Sequence, residues 1–271
     1  MNFLRLCSLL IAAAIATVSQ AIIMRHDGGA RLYEVRSSSY PAIFYLELIN
    51  NHKVCVATLI DRQWAITAAH CLGETSVATV VRNGGRFAVT LAGTERFIDQ
   101  VVSHPDYLPG SANEVDLALL RFSEPLPFPQ PYAMNSSSAE QDAVVSLLGW
   151  GYSGLGTTGR QRDDGTLRRA ENRVSLAAQR LEIVFDDPRW PDSTALPLEG
   201  TPGLNDSGGP ALMLVEGEAV LAGVAVGEFM DADFDEETQG RYGAVAVYER
   251  ISRHLAWIAE VTASSAKVSG E

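Results

Sequence analysis

Three short stretches carry the residue types of nucleophilic catalysis: Thr67-Ala68-Ala69-His70-Cys71, Asp116-Leu117-Ala118-Leu119-Leu120 and Asn205-Asp206-Ser207-Gly208-Gly209-Pro210. A serine hydroxyl is a poor nucleophile until an imidazole accepts its proton. That imidazole in turn needs a buried carboxylate to fix its tautomer and stabilise its cation. The three groups must meet in space, not in sequence, so their separation along the chain is no objection. Each stretch alone is a weak signal. A lone histidine is more often structural, an aspartate before an apolar strand is commonly a turn residue, and Asp-Ser-Gly-Gly-Pro makes an ordinary surface turn. Together they nominate Ser207 as nucleophile, His70 as general base and Asp116 as the acid that orients it.

The elements available to position these groups are mostly strands. Short β-branched and aromatic runs separated by turn residues occur at Ala42–Ile49, Val54–Ile60, Arg86–Leu91 and Leu117–Phe122, a spacing that argues for an antiparallel sandwich or barrel. Glu124-Pro125-Leu126-Pro127-Phe128-Pro129-Gln130-Pro131 cannot continue a strand ladder and reads as a linker. The pattern resumes at Val144–Leu148, Leu181–Phe185, Ala211–Val215, Val220–Val226 and Ala244–Tyr248. Between these runs, the Gly-rich stretch 149–165 reads as a mobile loop. Ile251, Leu255 and Ile258 share one face at helical spacing and predict a C-terminal helix. The expected domains are 22–131, an N-terminal β-barrel with the linker, and 132–271, a C-terminal β-barrel with the helix.

Residues 1–21 stand apart from that core. Arg5 precedes an apolar run from Leu6 to Val18 that ends in Ser19-Gln20-Ala21, the pattern of a secretory signal peptide cleaved after Ala21. The run is too short to cross about 30 Å of hydrocarbon. The expected location is therefore secreted or periplasmic, with no membrane attachment in the mature form. Cys7 would leave with the leader, and the remaining pair, Cys55 and Cys71, reads as a disulfide in an oxidising compartment. The net charge of −12 makes nucleic acid an improbable partner.

The three stretches, in this order and at this spacing, resemble the catalytic signatures of the chymotrypsin/trypsin family of serine peptidases. Cys55 and Cys71, bracketing Trp64-Ala65-Ile66-Thr67 and His70, resemble the family's disulfide beside its catalytic histidine. Gly149-Trp150-Gly151, Tyr248-Glu249-Arg250-Ile251 and Trp257-Ile258 are further landmarks, so the likeness covers nearly all of the mature chain. It implies an all-β fold of two six-stranded antiparallel barrels packed together, with a C-terminal helix and the triad in the cleft between barrels. It also implies peptide-bond hydrolysis through an acyl-enzyme, on a protein or peptide substrate, with a protein inhibitor as a second class of partner.

Carried over residue by residue, the resemblance assigns the oxyanion hole to the backbone N–H groups of Asn205 and Ser207. Asn205 departs from the family's usual glycine, but asparagine is among the residues that best tolerate positive φ, so a formed and strained hole is expected. Asp206 resembles the residue that pairs with a freed N-terminal ammonium, and cleavage after Ala21 would leave Ile22-Ile23 as the new N-terminus. Signal cleavage itself would then produce the active form. Thr201 falls at the base of the primary pocket, where a neutral residue cannot supply the charge that selects Lys or Arg. Val226 and Glu228 fall on the substrate-binding strand and Ala246 on the pocket wall. The Glu228 carboxylate either meets a basic side chain or faces solvent, with solvent favoured because carboxylates are seldom buried without a partner.

No metal or other cofactor is expected. His26, His52 and His254 lack acidic or cysteine partners at metal-ligand spacing, and His104 resembles a structural family loop. The acidic run Asp231, Asp233, Asp235, Glu236 and Glu237 lacks EF-hand spacing and reads as a solvated loop. A rival from another class is a catalytically silent homologue that uses the fold as a binding module, favoured by Asn205 and the unusual pocket and opposed by the intact triad. A Gly-x-Ser-x-Gly acyl hydrolase places its serine ahead of Asp and His, which is not the order here. A monomer is expected.

Overall fold

The computed structural model describes residues 22–111, 114–229 and 239–268. Residues 1–21, read from the sequence as a signal peptide, and the acidic run 231–237 lie outside the described residues. The chain opens with β1 (Ile22–Met24), followed by β2 (Ile43–Ile49), β3 (His52–Leu59), β4 (Trp64–Thr67), β5 (Phe87–Leu91), β6 (Thr94–Ser103) and β7 (Ala118–Phe122). Strands β2 to β7 form one six-stranded antiparallel sheet in the order β2-β3-β4-β7-β6-β5. Their residues show why. In β5 the side chains of Phe87, Val89 and Leu91 are buried while Ala88 and Thr90 are exposed, the period-two pattern of a strand with one wet face. All four residues of β4 are buried, as a central strand requires.

After the Pro-rich linker come β8 (Ala133–Met134), β9 (Val144–Gly149), β10 (Ser153–Leu155), β11 (Gly159–Arg162), β12 (Arg168–Arg173), β13 (Leu176–Ala177), β14 (Arg180–Val184), β15 (Gly200–Thr201), β16 (Pro210–Val215), β17 (Glu218–Glu228) and β18 (Val245–Arg250). Seven of them run in the order β12-β9-β16-β17-β18-β14-β13, and β8 pairs β17 to make an eight-stranded sheet. A small four-stranded sheet, β11-β10-β1-β15, completes the set. The two large sheets are barrel-like, one nearly closed and the other a half-barrel, and the architecture is the trypsin fold.

The structure departs from the sequence expectation in three places. The second sheet has eight strands, not six, because β8 and β13 are two-residue strands with no hydrophobic run to announce them. The Gly-rich stretch is not a mobile loop: Ser153–Arg162 is a hairpin whose inner strand pairs with β1. And β1, although first in the chain, is built into the sheet of the second half. Two short helices, α1 (Cys71–Glu74) and α2 (Val77–Arg82), cover the end of the first sheet, and α3 (Leu255–Val268) closes the chain.

Three apolar cores hold this together. One fills the first sheet, with Phe44, Leu59, Leu91 and Phe122. A second fills the other, with Val145, Leu181, Ile183 and Tyr248. The third lies between them, joining Trp64, Ile66 and Leu119 of the first sheet to Leu148, Leu212 and Val224 of the second and to Ile258 of α3. It fixes the relative position of the groups that the two halves contribute.

Candidate active site

His70 and Asp116 project from one end of the first sheet. Strands β4 and β7 are neighbours with Thr67 opposite Ala118, so His70, three residues beyond Thr67, and Asp116, two before Ala118, leave the sheet side by side. The Asp116 carboxylate accepts twice from the same histidine: Oδ1 from the His70 backbone N–H at 2.9 Å and Oδ2 from the ring Nδ1 at 2.5 Å. Asp116 is buried, and the imidazole keeps a partly open face. Burial opposes charge on the ring, but the hydrogen bond and charge of Asp116 outweigh it and hold the His70 pKa above the ordinary histidine value. With Nδ1–H committed to Asp116, Nε2 is left as the basic nitrogen.

Ser207 comes from a tight turn ahead of β16, and three contacts tie that turn to β3. The carbonyls of Asn205 and Ser207 accept from the N–H groups of Cys55 and Val56 at 3.1 and 2.7 Å. Gly208, at φ +80°, lies so close to the Val56 carbonyl and Thr67 Oγ1 that no Cβ would fit. Cys55 is disulfide-bonded to Cys71, the residue after His70. Backbone and bridge thus bring the Ser207 turn to the foot of the His70 turn. Among the described residues the Ser207 hydroxyl makes no hydrogen bond. The N–H groups of Asn205 and Ser207 likewise have no acceptor among the described residues. Asn205 sits at φ +74°, the left-handed conformation.

Asp206 points the other way, into the second half. It is fully buried, accepts from the N–H groups of Gly151 at 2.6 Å and Gly203 at 2.9 Å, and has no ion-pair partner among the described residues. Desolvation pushes its pKa up to about 7 despite those two bonds. A Cβ on Gly149 would collide with its carboxylate. Ile22 lies nearby in the chain of pairings: β1 runs between Ser153 and Thr201, each two residues from an amide that Asp206 holds. Ile22 is fully buried at φ +61°, a costly conformation for a β-branched residue.

Ser207 also rims a small cavity of about 50 Å³. Thr201, Glu228 and Ala246 line it with Leu204, Ala225 and Gln239, whereas Val226 lies outside and packs against the core of the first sheet. The buried Thr201 hydroxyl has no hydrogen-bond partner among the described residues. Glu228, for which a solvent-facing carboxylate was favoured from sequence, lines this cavity with part of its surface still exposed. Half-buried, it accepts from the Gly240 N–H at 2.9 Å, and desolvation raises its pKa to about 7. A larger cavity of about 420 Å³, lined by Tyr45, Lys53, Phe128 and Trp150, contains none of the candidate catalytic side chains.

Sequence reasoning missed Leu204 and Gln239 in the pocket wall, and Glu249, a buried carboxylate that accepts from the Asp116 N–H at 3.0 Å. Glu249 stood in the sequence only as part of the Tyr248-Glu249-Arg250-Ile251 landmark, with nothing to tie it to Asp116. Among the described residues, one group of side chains, Cys55, His70, Cys71 and Glu74, is close enough to hold a metal ion, but both sulfurs are consumed by the disulfide.

A sequence model of the family Trypsin matches residues 31–258. The chain belongs to the trypsin family. Within it, the chain is 25% identical to chymotrypsin-like elastase family member 1 of Rattus norvegicus over 87% of its own length and 89% of that protein. It is 28% identical to an uncharacterized peptidase of Corynebacterium glutamicum, over 94% of this chain and 81% of the other. A match to ovochymase of Halocynthia roretzi, 31% identical, covers 37% of this chain and only 7% of that protein. Among the described residues of this trypsin-family chain, no helix is long and apolar enough to cross a membrane.

Proposed function

We propose that the chain is a secreted serine endopeptidase that cleaves peptide bonds through a Ser207 acyl-enzyme, with His70 as general base and Asp116 as its orienting acid. The observation that carries the reading is the buried Asp116 carboxylate gripping both the main chain and ring of His70, beside a serine turn with two unengaged amides. Those amides, of Asn205 and Ser207, form the oxyanion hole, where one donor contributes about 3 kcal/mol to transition-state stabilisation. Attack by Oγ passes its proton to His70 Nε2, which returns it to the leaving amine. Water then repeats the cycle on the ester.

The first half, 22–131, supplies base and acid, and the second, 132–271, the nucleophile and pocket. Thr201, Glu228 and Ala246 form the walls that receive the side chain before the scissile bond, and a cavity of about 50 Å³ suits a short one. Residues 1–21 act as a leader, and release of Ile22 supplies the ammonium that Asp206 lacks. The strained φ of Ile22 supports this, because a chain that begins there has no φ to strain. The test is a fluorophosphonate probe on the protein beginning at Ile22. Labelling at Ser207 that disappears in His70→Ala supports the reading, and an unlabelled, well-folded protein identifies a silent homologue.

A further inference from the structure

We propose that Glu249, together with Arg180, is a positioning residue for Asp116: the second sheet reaches across the molecule and clamps the main chain that carries the catalytic acid. The proposal rests on the reading of His70 and Asp116 as a catalytic pair. Glu249 is in β18 and Arg180 is its directly paired neighbour in β14. β18 also supplies Ala246 to the pocket wall, but Glu249 and Arg180 themselves touch no substrate in that reading, and both side chains end at the Glu114–Asp116 segment that leads into β7.

The geometry is a two-point grip. Glu249 Oε1 accepts from the Asp116 backbone N–H at 3.0 Å and from Arg180 Nε at 2.8 Å. Arg180 Nη2 meets the same oxygen at 2.7 Å and also donates to the Glu114 carbonyl at 2.7 Å. One oxygen and one guanidinium therefore hold both the carbonyl and the amide that flank Val115. His254 Nε2, 3.6 Å from Glu249 Oε2, is the remaining titratable group against the carboxylate. Burial alone would push the Glu249 pKa up, but His254, the Asp116 N–H and Arg180 together hold it below the usual range, so the acceptor stays ionised.

A charge-assisted bond of this kind is wanted here for a physical reason. Asp116 aims both carboxylate oxygens at His70, so its side chain is directed away from its own main chain. Before β7, the Val115 N–H donates to the Asp106 carbonyl at 3.2 Å and the Leu117 carbonyl accepts from the His104 N–H at 2.8 Å, which leaves the Asp116 amide between them without a main-chain partner and free to shift. A shift of about 1 Å in such a group is enough to lower turnover about a hundredfold. The clamp removes that freedom, and because it comes from the other half of the molecule, it couples the acid to the body that carries the nucleophile.

The test compares Glu249→Leu, which deletes both acceptors, with Glu249→Gln, which keeps one oxygen for the Asp116 N–H. Glu249→Leu is expected to lower kcat about 10- to 100-fold with KM unchanged, and to lower the His70 pKa read from its ring proton resonances. Glu249→Gln is expected to restore most of kcat. Wild-type values for both kcat and the His70 titration in Glu249→Leu, or a Gln variant as impaired as Leu, would overturn the proposal. Should Glu249→Leu fail to fold, Arg180→Gln at a partly exposed site carries the same test: a severalfold loss of kcat with a lowered His70 pKa supports the clamp, and no change in either overturns it. The titration needs no turnover. A protein that fails to hydrolyse any substrate therefore sinks the peptidase reading while leaving the clamp readable.

Discussion

A buried carboxylate without a counter-ion makes folding sensitive to pH, and Asp206 is such a group. Its pKa is about 7 against an ordinary 3.8, so the folded chain binds this proton more tightly than the unfolded chain does. The sign follows from linkage: the stability is fully present below pH 4, declines as pH rises towards 7, and is lost above that. A difference of about three units corresponds to about 4 kcal/mol, a large part of the margin of a typical domain. The perturbation is the N-terminus. In a chain that retains residue 21, Ile22 has no ammonium and the full loss is expected, together with about 1–2 kcal/mol from the left-handed Ile22. In a chain that begins at Ile22, an ammonium paired with Asp206 holds the carboxyl ionised, and stability between pH 5 and 8 is retained. Urea denaturation of both chains at pH 5 and pH 8, with Asp206→Asn in each, isolates the term from Glu199 and Glu228, whose pKa values are also raised to about 7. Equal pH slopes in the two chains, or an Asp206→Asn change that leaves the slope of the extended chain untouched, would refute the reasoning.

Replacing Asp116 by Asn should lower kcat by about four orders of magnitude at neutral pH by presenting the wrong histidine tautomer. In the unaltered enzyme, activity should rise with pH through a value above 6.5, since His70 must be neutral to act as base and Asp116 holds its pKa up. Removing the Cys55–Cys71 bridge as a double alanine variant should cost about 3 kcal/mol, and the loss of kcat should exceed the loss of stability at temperatures where the variant remains folded. Profiling on a peptide library should find a preference for short side chains before the cleaved bond, and Glu228→Ala should raise kcat/KM for leucine or phenylalanine there. An unchanged profile would remove Glu228 from the pocket wall.

What could be read in the chain before folding was whatever local chemistry encodes. Val54–Ile60 and Ala211–Val215 announce strands because β-branched residues fit a pleated, half-buried surface, and both lie within two residues of β3 and β16. Arg168–Arg173 carries no such signal: its six residues include three arginines and a glutamate, and it is a strand because β9 offers it a ladder. The hairpin at Ser153–Arg162 was hidden in the same way, since β1, its partner, is supplied from the far end of the chain. The candidate triad was legible because His70, Asp116 and Ser207 each sit in a short motif. Glu249 was not, because its significance lies in a contact with Asp116, 133 residues away.

The two ends of the chain are exchanged between the halves. β1 belongs to the small sheet of the second half, while α3 sends Ile258 into the core shared with Trp64 and Ile66, and the Trp257 ring lies tilted against His104 with centroids 4.6 Å apart. Each half is thus strapped by an element that the chain supplies from beyond the other half. Two fragments divided at the Pro-rich connection would each lack a strap. They should therefore be poor folders separately and good partners when mixed, so this fold lends itself to a split system whose recombination is read by the recovery of a cooperative unfolding transition.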